Sequence, residues 1–184
     1  MTRIVGVSGS LRRGSYNSGL LAAAKDVLPS GVTLEIATIR GIPLYDGDAE
    51  AVDGIPEAVT TLKNAIASAD GLLLSTPEYN NGIPGVFKNA IDWASRPTAD
   101  IAKVFGSKPV ALMGTSPGNF GTVLSQSAWL PVLRTLGTDL WNGGRLMVPQ
   151  AGKAFDAEGK LTDDATRERL RKFLAGFSAF IQGK

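Results

Sequence analysis

The chain of 184 residues contains no cysteine and no histidine. Without cysteine it forms no disulfide bond and has no thiolate nucleophile, and without histidine it cannot build a Ser-His-Asp triad. Zinc sites made from cysteine or histidine are excluded for the same reason. A catalyst built from the remaining residue types depends on carboxylates, lysine, tyrosine, arginine or a bound cofactor.

Long hydrophobic runs are missing as well. No window approaches the roughly 18 consecutive apolar residues of a membrane-spanning helix. The apolar run near the N-terminus, Ile4 to Val7, is short and is followed by glycine, serine and arginine, which is not the pattern of a signal peptide. We therefore expect a cytoplasmic protein that does not enter a membrane. Its length predicts one domain, residues 1–184.

The chain has no large excess of either charge: 19 lysines and arginines stand against 17 aspartates and glutamates, which gives a net charge of +2. The basic residues are scattered and are not interleaved with aromatic residues. Their densest group, residues 167–172, falls on a helical pattern and is typical of a solvated helix face. The charge pattern predicts no binding of nucleic acid.

Short apolar runs alternate with helical patterns along the whole chain. Strands are predicted at residues 4–7, 32–36, 71–75, 108–113 and 140–148. Apolar residues at helical spacing follow each strand, most clearly in the last helix. This alternation predicts an α/β fold, a flavodoxin-like three-layer α/β/α sandwich around a five-stranded parallel sheet of order 2-1-3-4-5.

The first predicted strand runs into a loop, residues 9–18, made almost wholly of glycine, serine, arginine and asparagine. A helical pattern follows, so backbone N–H groups and the positive end of a helix dipole meet at this loop and suit an anion. The serine hydroxyls and the guanidinium of Arg12 favour a phosphate in particular. An ordinary turn between a strand and a helix also favours these residue types, so the loop alone does not distinguish a phosphate site from such a turn.

Two further loops, residues 76–82 and 114–121, leave the same edge of the predicted sheet. Both are rich in glycine, proline, serine and asparagine, and ligands of such folds bind at this edge. A phosphate on the first loop would place an attached planar group over the other two. Their backbone amides can hydrogen-bond a flat heteroaromatic ring.

Other phosphate-binding and catalytic motifs fit less well. A dinucleotide fingerprint needs G-x-G-x-x-G and an acidic residue after the second strand, whereas Gly6, Gly9 and Gly14 have the wrong spacing and no such acid is present. No Walker A motif occurs. Residues 114–118 match the G-x-S-x-G nucleophile elbow, but a serine hydrolase needs a base and the chain has no histidine.

Four motifs in series resemble the NAD(P)H-dependent FMN reductase family, and within it the bacterial chromate and quinone reductases. They are Gly9-Ser10-Leu11-Arg12 with Ser15 and Asn17, Ile42-Pro43-Leu44-Tyr45-Asp46, Thr76-Pro77-Glu78-Tyr79-Asn80 and Lys88-Asn89-Ala90-Ile91-Asp92-Trp93. The resemblance extends from residue 3 to about residue 182. It implies a flavodoxin-like fold, non-covalent FMN and a two-step, ping-pong reaction. NADH or NADPH would reduce the flavin, and a quinone, chromate, a ferric complex or free flavin would then take the electrons.

The resemblance also implies which residues bind FMN. The phosphate would be held in the first loop by Ser10, Arg12, Ser15 and Asn17, with Ser18 beside them. The isoalloxazine would be lined, mostly through backbone groups, by Pro77, Glu78, Tyr79 and Asn80. The far wall would be shaped by Ser116, Gly118 and Gly121. No catalytic side chain and no metal site is implied, because the flavin carries the hydride chemistry.

In related proteins the helix that carries Trp93 packs against a second subunit, so the resemblance implies a homodimer. Some relatives join dimers into tetramers through an arginine and a tyrosine in a run like Ala-Arg-x-Gln-Tyr. Here those two positions are Leu124 and Ser127, which argues against that route, so the choice between a dimer and a tetramer stays open.

Two alternative functions stay open at this point. One is a flavodoxin-type electron carrier without NAD(P)H oxidase activity of its own, and the other is a nucleotide-binding regulatory module without turnover. Flavodoxins are usually acidic, so the net charge of +2 favours the reductase.

Overall fold

The computed structural model describes residues 1–184 and is built around one parallel sheet. Its strands are β1 (Thr2–Ser8), β2 (Val32–Ala37), β3 (Gly71–Ser75), β4 (Pro109–Thr115), β5 (Asp139–Leu140) and β6 (Leu146–Val148). The order is β2-β1-β3-β4-β5, and β6 also pairs with β4, so the two short strands share the fifth position. Every strand pair is parallel. The predicted order 2-1-3-4-5 is confirmed.

Eight helices flank the sheet. They are α1 (Tyr16–Asp26), α2 (Gly47–Asp53), α3 (Glu57–Ser68), α4 (Gly85–Ala94), α5 (Ile101–Val104), α6 (Val123–Thr135), α7 (Ala151–Ala154) and α8 (Asp164–Gln182). The apolar sides of α1 and α8 form one core with one sheet face, and those of α3, α4 and α6 form a second core with the other. The result is the predicted three-layer sandwich. None of these helices combines the length and apolar character that a bilayer span requires.

Strand β3 lies in the middle of the sheet, and all of its residues are buried. Because successive side chains of a strand point to opposite faces, Leu73 contributes to the α1–α8 core, whereas Leu72 and Leu74 contribute to the other. A strand covered by helices on both faces has to be apolar throughout. This explains the three consecutive leucines.

The predicted fifth strand, residues 140–148, is interrupted. Only its two ends pair with β4, and residues 141–145 lie outside the sheet ladder. Trp141 packs against α8 instead, with its ring centroid 5.1 Å from that of Phe173 in an edge-on arrangement. A Cβ atom would overlap the indole ring at each of three surrounding positions, Gly143, Gly144 and Gly176. The prediction of one continuous strand was wrong here because these glycines leave a space that the tryptophan fills.

Residues 42–46 are attached to helix α4 by three hydrogen bonds. The Pro43 carbonyl accepts from Asn89 Nδ2 at 2.8 Å and from Trp93 Nε1 at 2.9 Å, and Asn89 Oδ1 accepts from the Tyr45 N–H at 2.9 Å. Trp93 is only 1% exposed within its own chain. The second and fourth sequence motifs are therefore partners in one contact.

A charged pair fastens helix α2 to the segment after α4. Arg96 Nε donates to Glu50 Oε2 at 2.8 Å, and the Tyr45 hydroxyl donates to the same oxygen at 2.9 Å. The hydrogen bond from Arg96 is the main cause that lowers the pKa of Glu50. Because this pKa lies below its unfolded value, the stabilisation by Glu50 is present above the unfolded pKa and is lost as pH falls through the folded pKa.

Candidate functional site

The three loops predicted to converge do so, because β1, β3 and β4 are neighbours and end at the same edge of the sheet. They enclose a cleft of about 300 Å³. The cleft is lined by Ser10, Arg12, Ser15, Tyr16, Asn17, Pro77, Glu78, Tyr79, Thr115, Ser116 and Pro117.

The start of helix α1 forms one end of this cleft. Ser15 is the N-cap, and its hydroxyl accepts from the Ser18 N–H at 3.4 Å. The N–H groups of Tyr16 and Asn17 belong to the first helical turn and have no intrahelical acceptor. The Arg12 guanidinium lies 5.3 Å from the centroid of the Tyr16 ring. A positive side chain and the positive end of a helix therefore meet here, as an anion site requires.

Asn17 is buried, with only 4% of its surface exposed. Its Nδ2 donates to the Thr115 carbonyl at 2.9 Å, and its Oδ1 accepts from the Thr115 N–H at 3.1 Å. The Ser75 hydroxyl donates to the same Oδ1 at 3.2 Å. Asn17 thus ties the start of α1 to the ends of β3 and β4, and only its backbone N–H remains for a ligand.

Thr115 is the last residue of β4, is 2% exposed, and lines the cleft. Its hydroxyl is the one buried side-chain polar atom without a hydrogen-bond partner. Buried hydroxyls are almost always paired, since an unpaired one costs about 1–3 kcal/mol. A ligand with hydroxyl or phosphate oxygens in the cleft would supply this partner.

The second loop closes in a tight turn. Tyr79 and Gly82 exchange two backbone hydrogen bonds, of 3.2 and 3.0 Å. Asn80 and Asn81 between them have positive φ angles of 50° and 62°, a conformation that asparagine tolerates better than most residues. The turn explains the Asn-Asn-Gly sequence and places Asn80 outside the cleft lining.

The Glu78 carboxylate is used as a helix cap. Its Oε2 accepts from the backbone N–H groups of Leu124 and Ser125, at 2.8 and 3.0 Å, in the first turn of α6. No other side chain caps this helix. Glu78 therefore holds the second loop to the helix that follows the third loop through one oxygen of its carboxylate.

The third loop is held by one hydrogen bond within the loop and by another to the backbone at Gln150. The Ser116 hydroxyl donates to the Gly121 carbonyl, and the Gly118 carbonyl accepts from the Gln150 N–H at 2.8 Å. Gly121 has a φ of +63° and lies against Met147. Since the Ser116 hydroxyl is engaged with a carbonyl and no base is near it, the nucleophile-elbow interpretation has no structural support.

Eight of the twelve residues that the sequence assigned to the site line the cleft, and four do not. Ser18 lies on another side of α1 and donates to the Ser8 hydroxyl at 3.0 Å. Asn80, Gly118 and Gly121 shape their loops without lining the cavity. Sequence reasoning missed Tyr16, Thr115 and Pro117 as lining residues, although all three lie in or next to the loops that it singled out. No group of three acidic side chains converges to hold a metal ion.

We expect Glu78→Ala to lower the free energy of unfolding by about 1–2 kcal/mol, the usual cost of losing a helix N-cap. Glu78→Gln keeps a carbonyl oxygen that can accept from Leu124 or Ser125, so its loss should be smaller. Urea denaturation measures both. Glu57→Ala is the matched control, because Glu57 begins α3 without making any side-chain hydrogen bond. Equal losses in Glu78→Ala and Glu57→Ala would attribute the effect to helix-dipole charge alone.

Comparisons with known proteins identify the family. Residues 2–153 match the family model described as NADPH-dependent FMN reductase. The chain is 43% identical to an NAD(P)H-dependent FMN reductase of Pseudomonas aeruginosa over 98% of this chain and 95% of that protein. It is 39% identical to a 2-hydroxy-1,4-benzoquinone reductase of a Burkholderia species over 99% of this chain and 97% of that protein.

A solved structure agrees with these sequence matches. The flavoenzyme NAD(P)H:(acceptor) oxidoreductase of Paracoccus denitrificans superposes with a TM-score of 0.87 at 33% identity, covering 100% of this chain and 98% of that one. The chain thus belongs to the NADPH-dependent FMN reductase family.

Proposed function

We propose that this chain is an FMN-dependent NAD(P)H:acceptor oxidoreductase whose residues 1–184 form one FMN-binding domain. Its main support is the cleft, which joins a helix start suited to a phosphate to two walls of loop backbone at one edge of the sheet. When bound, FMN would supply the chemistry of hydride transfer from NAD(P)H to the second substrate. The side chains of the chain bind and orient the flavin.

The phosphate of FMN would lie at the start of α1. Ser10, Arg12 and Ser15 would bind it with the backbone N–H groups of Tyr16 and Asn17. Ser18 would support this loop from the other side of the helix through its contact with Ser8. The unpaired hydroxyl of Thr115 would bind an oxygen of the ribityl chain or the phosphate.

The isoalloxazine would lie against backbone groups of the second and third loops. Pro77, Glu78 and Tyr79 line the cleft, and the Glu78 side chain is already used by α6, which leaves its backbone for the ring. Asn80, Gly118 and Gly121 would act indirectly by fixing the loop shape, and Ser116 would do so through its bond to Gly121.

We further propose that the acceptor is a small molecule, a quinone or free flavin, with chromate and ferric complexes as further acceptors. Relatives named as quinone reductases and FMN reductases support this choice. No relative described above is an electron carrier, and no contact in the structure favours the carrier over the reductase.

A homodimer is also proposed. Two large apolar side chains face solvent, Leu44 at 82% exposure in the segment bonded to α4 and Val52 at 84% on α2, and a second copy would cover them. A tetramer stays possible, but the route implied for some relatives lacks support, because Leu124 stands at the position of their arginine and the Ser127 hydroxyl donates to the Val123 carbonyl within α6. A cytoplasmic location is proposed because NAD(P)H is a cytoplasmic reductant.

An absorption spectrum of the purified protein, taken before and after anaerobic addition of NADH or NADPH, tests the function. We expect the visible bands of oxidised flavin to bleach promptly. Bands that persist would support an electron carrier. A colourless protein that does not take up added FMN would refute the flavin site.

We expect Arg12→Ala to weaken FMN binding by about 1.5–3 kcal/mol, the range for a hydrogen bond to a charged group. This corresponds to a rise of about 10- to 150-fold in Kd. Titration of the apoprotein with FMN, followed by the quenching of flavin fluorescence, measures it. Arg13→Ala is the matched control, because Arg13 lies in the same loop but does not line the cleft. Equal effects of the two changes would mean that only general positive charge matters.

A further inference from the structure

A second cavity, of about 540 Å³, adjoins the phosphate end of the cleft. We call it the α1 groove; it lies between one side of α1 and the hairpin of residues 155–161, with Arg167 of α8 at its border. Arg12 and Ser15 line both cavities. The groove therefore begins where the phosphate of a bound FMN would end.

The floor of the α1 groove carries almost no side chain. Gly19, Ala22 and Ala23 present hydrogen or methyl groups along α1. The hairpin crosses α1 so closely that a Cβ on Gly19 would overlap the Gly159 carbonyl oxygen. A flat and shallow apolar floor of this kind suits a planar base.

Charged side chains lie at both ends of the groove. Arg12 and Lys160 lie near the start of α1, whereas Asp26 lies at its end, about 15 Å away at a rise of 1.5 Å per residue. None of these three side chains forms an ion pair, although the chain contains eight. Glu158 is unpaired too, and Arg167 already donates to the Leu161 carbonyl at 2.7 Å. Arg12, whose guanidinium donates to the Gly14 carbonyl at 3.0 Å, and Lys160 thus lie at the phosphate end, where the backbone of Glu158 also adjoins Gly14. The carboxylate of Asp26 lies at the far end.

We propose that the α1 groove binds an adenylate joined to the flavin phosphate, so that the chain takes up FAD as well as FMN. This rests on the proposed flavin site. The second phosphate would be bound by Arg12 and Lys160, and the base would lie on Gly19, Ala22 and Ala23. Asp26 would accept from a ribose hydroxyl or the adenine amino group. FMN has no group that reaches beyond Arg12.

Titrations of the apoprotein with FMN and with FAD test the proposal. We expect the Kd for FAD to lie within about tenfold of that for FMN. Lys160→Ala should raise the Kd for FAD about tenfold and leave that for FMN unchanged, and Ala22→Phe should block FAD by filling the groove while sparing FMN. Lys153→Ala, an exposed lysine on α7 outside the groove, should change neither.

Four results would overturn the proposal. FAD that fails to bind while FMN binds refutes the groove alone, whereas failure of both flavins refutes the flavin site itself. Equal weakening of FMN and FAD by Lys160→Ala would mean that Lys160 serves the shared phosphate. A raised KM for NADH in Lys160→Ala without a change in FAD binding would assign the groove to the pyridine nucleotide.

Discussion

Gly19→Ala is expected to lower the free energy of unfolding by about 3 kcal/mol, at the upper end of the usual cost of overpacking. The added Cβ would overlap the carbonyl oxygen of Gly159, a backbone atom that cannot rotate away. Helix propensity alone predicts the opposite sign, because alanine in a helix interior is about 1 kcal/mol more favourable than glycine. The clash outweighs propensity, so the hairpin must move away from α1.

Gly85→Ala is the matched control for this change. Gly85 also lies in a helix, the first turn of α4, and a Cβ there meets nothing within 4 Å. We expect it to be neutral or slightly stabilising in the same denaturant titration. If Gly19→Ala is as stable as Gly85→Ala, the hairpin does not rest on α1 in solution.

Asn17→Ala is expected to cost about 3–5 kcal/mol of stability. It removes the partner of the Thr115 N–H and of the Thr115 carbonyl in a buried place, whereas the Ser75 hydroxyl keeps its hydrogen bond to the Asn17 backbone carbonyl. Each buried polar group left unpaired costs about 1–3 kcal/mol. FMN affinity should fall as well, because the start of α1 would no longer be fixed to the end of β4. Thermal or urea unfolding of the apoprotein and flavin titration measure the two effects separately.

Two further variants sharpen this test. Asn17→Asp keeps the oxygen that accepts from Thr115 and Ser75 but loses the donor, so an intermediate loss is expected. Asn142→Ala is the control, since Asn142 is exposed and its amide bonds only the carbonyl two residues earlier. If Asn17→Ala loses FMN affinity while its stability is unchanged, the side chain contacts the phosphate directly, as the family resemblance implies.

The sheet order and the position of the cleft were predictable because both follow from local patterns. The three leucines of β3 marked a strand covered on both faces, and the strict alternation of strands and helices then fixed the neighbours of that strand. The glycine- and serine-rich loop before α1 marked the anion site for a similar reason. Glycine and serine in that loop indicate directly that backbone N–H groups and hydroxyls are available to bind an anion.

The roles of individual side chains were less predictable, because they depend on partners far away in the sequence. Asn17 bonds Thr115, 98 residues later, and Glu78 bonds the backbone at Leu124, 46 residues later. Both residues sit in motifs that suggest direct ligand contact, and nothing local indicates that their side chains are used elsewhere. The same holds for Trp141, whose space is made partly by Gly176 of α8.

The interruption at Trp141 also bears on the self-association of the chain. An edge strand with a long row of free N–H and C=O groups can pair with the edge of another molecule and start aggregation. Here that edge is divided into β5 and β6, of two and three residues, with an irregular glycine-containing loop between them. No continuous row is presented on this side, so this edge of the sheet does not offer a template that would extend the sheet from one molecule to the next.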